Sequence, residues 1–581
     1  MDRLISALCL SAFLCAFAGA SASAQTQADP EAATGRDPKP LVRAEHEMIV
    51  TANPHASRAG LAMLQAGGSA ADATIAALLV LNVVEPQSSG IGGGAFALVH
   101  GPSGLTSFDA RETAPLSATP ELFLEDGDTI PWRVASRTGR AIGVPGLVAL
   151  METLHSRHGR LAWADLFAPA VRLAGSGFEV SPRLAGLTES SATRLEGTDA
   201  AALFRPGGQP LAAGSTLRQP ELAATLRSIA EGGSAAFYTG EIAAAIVAAT
   251  QRGPMAGSLE EADLSAYQVI ERDPLCMAYR TTHRICGMGP PSSGATTVGQ
   301  ILGLMGEFDP ARFGGDDPHT WHLFAEASRL AYADRALYIG DPDHVKVPAR
   351  GLLASSYLSA RAGMISADKA GEGKASAGNP PHREGRYAPA RARTSPGTTH
   401  LSVIDDDGLA ISLTASIESA FGSGRMAAGF LLNNQLTDFS FRPYAEDGRP
   451  IANAPAAGKR PRSSMAPTIV YRAGETVPEI LIGSPGGSRI PEYVAGALVG
   501  MLDLGLDPAE AAALFHVSQR NRAAVVLESG VAPAGLADAL AAKGHVVERA
   551  EMTSGTHIIR VTSDGLEGGA DPRREGLALG R

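Results

Sequence analysis

Cysteine is scarce in this chain, with four residues in 581. That excludes a disulfide-stapled scaffold, and without HExxH or a second Cys/His pair at ligand spacing no metal is expected. Positive charge is also in deficit: Lys plus Arg number 49 against 60 Asp plus Glu, a net charge of -11. A nucleic-acid binder draws its affinity from neutralising phosphates, so that class is disfavoured. Beyond the first twenty residues no apolar run is long enough to cross a membrane. Ala73 to Val84 comes nearest, but it is short, contains Asn82 and reads as a buried helix. A nucleotide loop is missing too, since the glycines from Gly90 to Gly94 lack GxGxxG spacing and no Walker lysine follows. They read as close backbone packing. With 45% hydrophobic and 19% charged residues, the composition excludes disorder. The length suits about three to five ordinary domains or one large fold.

What is present begins with Leu4 to Ala20, an apolar run behind Arg3 that ends at the small residues Ala22-Ser23-Ala24. It reads as a cleaved signal peptide over residues 1–24, with a retained anchor as the alternative, and implies a periplasmic or secreted protein. The mature chain then keeps Cys276 and Cys286. The residues between them alternate like two strands around a turn and place the sulfurs roughly opposite each other. In an oxidising compartment they form either a disulfide or two buried thiols.

Helical spacing predominates from Met48 to about Ile365, including Ala56–Gln65, Asp72–Val84 and Thr320–Tyr338. Between Asp368 and Gly397 the composition shifts to Ala, Gly, Pro, Ser and Arg, and reads as an exposed loop or tail. At Thr398 the pattern turns to strands: Thr398–Ile404, then Asp405-Asp406-Asp407-Gly408, then Leu409–Ser416. A two-residue Asp407-Gly408 turn would pair Asp406 with Leu409 and set Thr398 opposite Ile417, within a register step of Ser416 and Glu418. Further strands are expected at Met465–Tyr471, Glu479–Gly483 and Ile558–Val561, and helices at Tyr493–Leu504 and Pro508–His516. No internal repeat is evident.

A low-complexity stretch ending in Gly397, followed by Thr-Thr at a strand start, points to one chemistry. A Thr hydroxyl can attack the preceding carbonyl, shift the acyl group from N to O, and leave Thr as a new N-terminus. Its freed amine then serves as the base for its own hydroxyl. Alone, Thr-Thr also opens ordinary strands.

Its company is more specific. The chain carries Glu85-Pro86-Gln87-Ser88-Ser89-Gly90, Phe108-Asp109-Ala110-Arg111-Glu112, Tyr332-Ala333-Asp334-Arg335 and Thr398-Thr399-His400. It also carries Leu432-Asn433-Asn434-Gln435 with Asp438-Phe439, Arg462-Ser463-Ser464-Met465, Gly483-Ser484-Pro485-Gly486-Gly487-Ser488-Arg489, and Asp571-Pro572-Arg573. In these motifs, from about Glu45 onward, it resembles the γ-glutamyltransferase (glutathione hydrolase) family of N-terminal-nucleophile hydrolases. The resemblance implies an α+β fold, a four-layer αββα sandwich assembled from two fragments of one precursor. Cleavage between Gly397 and Thr398 would leave a large subunit, 25–397, and a small subunit, 398–581, as a heterodimer. Thr398 would be the nucleophile, with Ser416 bonded to it. Arg111 would grip the substrate α-carboxylate with help from Ser463 and Ser464. Gln435, Asp438 and Glu418 would take the α-ammonium, and Gly486 and Gly487 would donate backbone N–H groups to the oxyanion. No cofactor is implied. The partners implied are glutathione and other γ-glutamyl compounds, with amino acids or dipeptides as acceptors.

Each residue also has a plain reading: Arg111 as a surface arginine paired with Glu112, Asp438 as a turn or cap residue, Gly486-Gly487 as a tight turn. Two features depart from the family pattern. Glu418 stands where many members have Asn, and the lid-like segment from Phe439 to Arg462 is of intermediate length, with Tyr444 available to cover the site. Two rivals follow. One is a cephalosporin or glutaryl-type acylase on the same scaffold, and the other is a secreted binding protein without catalysis.

Overall fold

The computed structural model describes residues 35–309, 312–390 and 397–581. The signal peptide expected over 1–24 lies outside the described residues. Two seven-stranded antiparallel sheets form the centre. The first runs Leu577–Gly580, Met48–Thr51, Gly397–Ile404, Ala410–Glu418, Gly94–Gly101, Gly104–Ala110 and Ile270–Arg272. The second runs Val42–Ala44, Gly565–Ala570, His557–Thr562, Pro478–Gly483, Thr468–Arg472, His283–Gly287 and Leu275–Tyr279.

Strand alternation explains the layers. In the first sheet Leu401, Val403, Ile411, Leu413, Ala415 and Ile417 turn to one face and join a core with helices Pro54–Gln65, Ala70–Val84 and Leu147–His158. The opposite face carries Thr398, His400 and Ser402 beside Ser412, Thr414 and Ser416. It meets the second sheet partly through polar contacts: Ser412 Oγ donates to Ile482 O at 3.1 Å and Ser402 Oγ to His557 O at 3.2 Å. The apolar part of that layer includes Val50, Leu98, Ile469 and Leu481. The far face of the second sheet packs on helices Gly294–Gly306, Pro318–Tyr338 and Ile490–Leu502. The result is helix, sheet, sheet, helix: one αββα sandwich.

Residues on the two sides of Gly397 interleave in this architecture. Gly397–Ile404 pairs with Met48–Thr51, and Ala410–Glu418 pairs with Gly94–Gly101. Cys276 lies opposite Cys286 in an edge hairpin, and their sulfurs are bonded.

The hairpin differs from expectation by one register step. Ile404 pairs with Ala410 and Thr398 with Ser416. Buried Asp405 is the reason: its carboxylate accepts from the N–H groups of Asp407 at 3.2 Å and Leu409 at 3.0 Å, which enlarges the loop, and from Ala70 at 2.8 Å at a helix start. The stretch expected as an exposed tail is irregular but partly fastened. Gly378 N–H donates to Asp334, Ala388 N–H to Pro450 O, and Ala388 and Ala390 are buried. The strand expected from Met465 begins at Thr468, directly after Pro467, which has no N–H to give to a neighbouring strand. The helix expected over Pro508–His516 stops at Ala513, and Val517–Ser518 is a short strand.

Asp405→Ala removes three buried acceptor contacts at once and is expected to destabilise the protein by about 2 kcal/mol or more. A lower urea midpoint than wild type checks this, and an unchanged midpoint would contradict the assigned role.

Candidate active site

The chemistry converges where strand Gly397–Ile404 starts against the end of strand Ala410–Glu418. A Cβ on Gly397 would lie 2.5 Å from Ser419 O and 2.7 Å from Glu418 O, so only glycine fits directly before Thr398. Thr398 Oγ1 donates to Ser416 Oγ at 3.3 Å, and Ser416 Oγ in turn donates to the Gly397 carbonyl in a short bond. Glu418 N–H also donates to Ser416 Oγ, at 2.9 Å. That contact is made as the chain turns at Glu418, whose φ of 77° is uncommon for a residue with a side chain. Behind the strand, the glycine run does pack closely: a Cβ on Gly93 would sit 2.2 Å from Ser416 O.

Thr398, Ser416, Glu418, Gln435, Asp438, Arg111, Ser463, Ser464 and Gly487 line a single cleft. Arg111 is buried, not a surface residue. Its guanidinium donates to Asp438 at 2.5 Å, to Pro461 O at 3.2 Å and to Arg462 O at 3.1 Å. Glu112 lies 3.7 Å away, and burial pushes its carboxyl up to about 7. Asp438 ends a single helical turn, Gln435–Asp438, and accepts from Gln435 Nε2 at 2.9 Å. Glu418 accepts from Ser419 Oγ at 2.6 Å and, in a short bond, from Asn434 Nδ2. Burial first, then the charge of Asp438, raises its carboxyl to about 8.

Ser463 Oγ accepts from Met465 N–H at 3.1 Å, and Ser464 Oγ accepts from Arg335 at 2.5 Å. Gly487 opens a short 3₁₀ turn, so its N–H has no carbonyl partner within that turn. Gly486, at φ 139°, is set back from the cleft, where a Cβ would strike the Tyr493 ring at 2.4 Å. His400 is a buried core histidine between Thr414 Oγ1 and Ser402 Oγ, held well below its ordinary pKa by burial. Tyr444 does not line the cleft: it bridges to Pro450 and is 55% exposed.

Four contributors were not singled out from sequence. Asn434 positions Glu418, Arg335 and Arg462 line the cleft, and Arg574 donates to the Thr398 carbonyl at 3.2 Å. The first three sit inside quoted motifs and Arg574 directly follows one, but a motif does not reveal which member faces which atom.

The gamma-glutamyltranspeptidase family model matches residues 56–580. The chain belongs to this family. It is 37% identical over 544 residues to the glutathione hydrolase proenzyme of Escherichia coli K12, covering 92% of this chain and 91% of that one. It is also 33% identical over 544 residues to the acylase ACY 1 proenzyme of Pseudomonas sp. V22, covering 92% and 93%. Among solved structures, a cephalosporin acylase from Bacillus halodurans superposes with a TM-score of 0.83 at 28% identity, covering 95% of this chain and 99% of that one. The gamma-glutamyltranspeptidase family thus accounts for the fold, while likeness to both activities leaves the substrate to be argued from the cleft.

Glu418 supplies a pH test. Its folded pKa is raised from 4.5 to about 8, so its stabilising contribution is complete below 4.5 and is lost as pH rises through 8. Glu418→Gln removes that loss. Its melting temperature is therefore expected to exceed wild type at pH 8.5, and the gap to shrink or reverse at pH 5. A gap independent of pH would contradict the assignment.

Proposed function

We propose that this protein is a self-processing γ-glutamyltransferase and glutathione hydrolase. One observation carries the substrate: beside Thr398, the guanidinium of Arg111 is paired with the carboxylate of Asp438 at 2.5 Å. An α-amino-acid head group brings one carboxylate and one ammonium, and can exchange for that pair without leaving either charge unmatched. A glutaryl group brings only the carboxylate. It would take Arg111 from Asp438 and bring no ammonium to Asp438 and buried Glu418 in exchange, leaving Asp438 with only the more distant charges of Arg335 and Arg462.

Processing comes first. Thr398 Oγ1 adds to the Gly397 carbonyl carbon, while Ser416 Oγ donates to the oxygen that gains charge. The hydroxyl proton passes to the Thr398 nitrogen, the C–N bond breaks, the acyl group stays on the threonine oxygen, and water hydrolyses that ester to leave the Gly397 carboxylate and the free Thr398 hydroxyl and amine. The products are fragments 25–397 and 398–581, held as a heterodimer by strand pairing that crosses the cleavage point. The freed amine of Thr398 then takes the proton from its own hydroxyl. That oxygen attacks the γ-carbonyl of glutathione or another γ-glutamyl amide, with Gly487 N–H, and Gly486 behind it, serving the oxyanion. The leaving amine departs protonated, and the glutamyl ester passes to water or to the amine of an amino acid or dipeptide. The signal peptide assigns this chemistry to the periplasm or the exterior. No helix among the described residues is long and apolar enough to cross a membrane.

The acylase reading is tested by the same protein on two anilides. Processed enzyme is expected to turn over the γ-glutamyl anilide at least about a hundredfold faster, in kcat/KM, than the glutaryl anilide. Faster glutaryl turnover would make it an acylase. No turnover of either by a fully processed sample would favour a binding protein.

A further inference from the structure

We propose that Arg194 is a positioning residue for the γ-glutamyl pocket: it holds the turn that follows Glu418 and keeps that carboxylate ready for the substrate α-ammonium. The inference rests on the proposed activity and traces part of its selectivity to a segment outside the cleft. Backbone strain is concentrated in this turn. Glu418 and Phe421 have φ of 77° and 63°, and Gly422 and Gly424 follow at 56° and 75°. Residues with side chains stay in that region only where their surroundings hold them. On one side, Asn434 Oδ1 accepts from Ser419 N–H at 3.0 Å and Gln87 O from Phe421 N–H at 3.2 Å. On the other, residues 191–204 wrap the turn. Ala200 N–H donates to Gly424 O at 3.1 Å, and the Phe204 ring lies 5.1 Å from that of Phe421. Arg194, on the short helix Ala192–Leu195, fastens the middle: its Nε donates to Ala420 O at 2.8 Å and its Nη2 to Gly422 O in a short bond, while Nη1 reaches Ser136 Oγ at 3.4 Å.

None of these three acceptors is charged, and the carboxylate on which the guanidinium acts is Glu418, two residues before Ala420. Burial lowers Arg194 to about 10 and the charge of Arg137 lowers it further, while Glu418 opposes both. The effect is mutual. Burial and Asp438 raise Glu418, and Ser419, Arg194 and Asn434 draw it back towards its ionised form. Glu418 lines the cleft and Arg194 does not, so an ammonium in the cleft meets the carboxylate first. The cation behind the turn therefore favours ionisation of Glu418 more than it repels the substrate. A change at position 194 leaves the other charges lining the cleft, on Asp438, Arg111, Arg335 and Arg462, in place. A glutaryl group, which has no ammonium, draws no benefit from Arg194.

The test uses Arg194→Gln, which keeps a donor for the carbonyls but no charge, and Arg194→Lys, which keeps the charge, each checked for complete processing by mass. On the γ-glutamyl anilide, Arg194→Gln is expected to raise KM about tenfold, the equivalent of one pKa unit on Glu418, with kcat little changed. Arg194→Lys should stay near wild type, and kcat/KM for the glutaryl anilide should not move in either variant. An unchanged KM in Arg194→Gln, an equal rise in Arg194→Lys, or the same loss on both anilides would overturn the role while leaving the activity standing. Melting temperatures read the coupling without substrate or processing. At pH 8.5 the gain from Glu418→Gln should be larger in the Arg194→Gln background than in wild type, and equal gains would overturn the role as well. No turnover of the γ-glutamyl anilide by processed wild type would overturn the activity and the selectivity assigned to Arg194 with it.

Discussion

Ser416 Oγ accepts from Thr398 Oγ1 and from Glu418 N–H and donates to the Gly397 carbonyl, so one hydroxyl joins the proposed nucleophile, the bond proposed to break and the turn that carries Glu418. The arrangement depends on the strand register, since Thr398 faces Ser416 directly. Asp405 sets that register at the far end of the hairpin by enlarging the loop, while Gly397 and Gly93 allow backbones to approach more closely than any side chain permits. A one-residue slip would send Thr398 to the helix-facing side of the sheet and leave the Gly397 carbonyl without its donor.

Around that hydroxyl the cleft concentrates charges that would be costly to bury singly. Arg111 is matched by Asp438 and lies beside Glu112, whereas Glu418 is raised to about 8 and held by Asn434 and Ser419. A ligand with both a carboxylate and an ammonium can replace the internal pair and draw Glu418 into its ionised form. Binding and ionisation are then coupled, which suits a glutamyl head better than a glutaryl one. On the proposed reading, the Glu418 that departs from the usual family Asn strengthens the ammonium side of the pocket.

Much of the fold was legible from sequence because it rests on periodicity. The alternation in Thr398–Ile404 and Leu409–Ser416 marked both strands and the inward face, and helices such as Pro318–Tyr338 showed their spacing. The exact hairpin register was not legible, since the Asp-Gly pair reads as a two-residue turn, whereas the Asp405 carboxylate folds back onto the Asp407 and Leu409 N–H groups and is itself held by a helix start more than three hundred residues away. Of the proposed site, Arg111, Gln435, Asp438, Ser463, Ser464 and Gly487 meet in one cleft with Thr398. What sequence could not show was mutual pairing: that Arg111 rests on Asp438, that Gly486 stands back against Tyr493, or that Arg574 reaches the Thr398 carbonyl. Such contacts join distant segments, and no local pattern encodes them.

The account stands on Thr398 cutting the chain before itself. The most direct measurement is the denatured mass and N-terminal sequence of the purified protein, with Thr398→Ala in parallel. Two chains in wild type, the smaller beginning at Thr398, and one chain in the variant are predicted. A single intact chain in wild type after prolonged incubation, or the same cleavage in the variant, would contradict the mechanism.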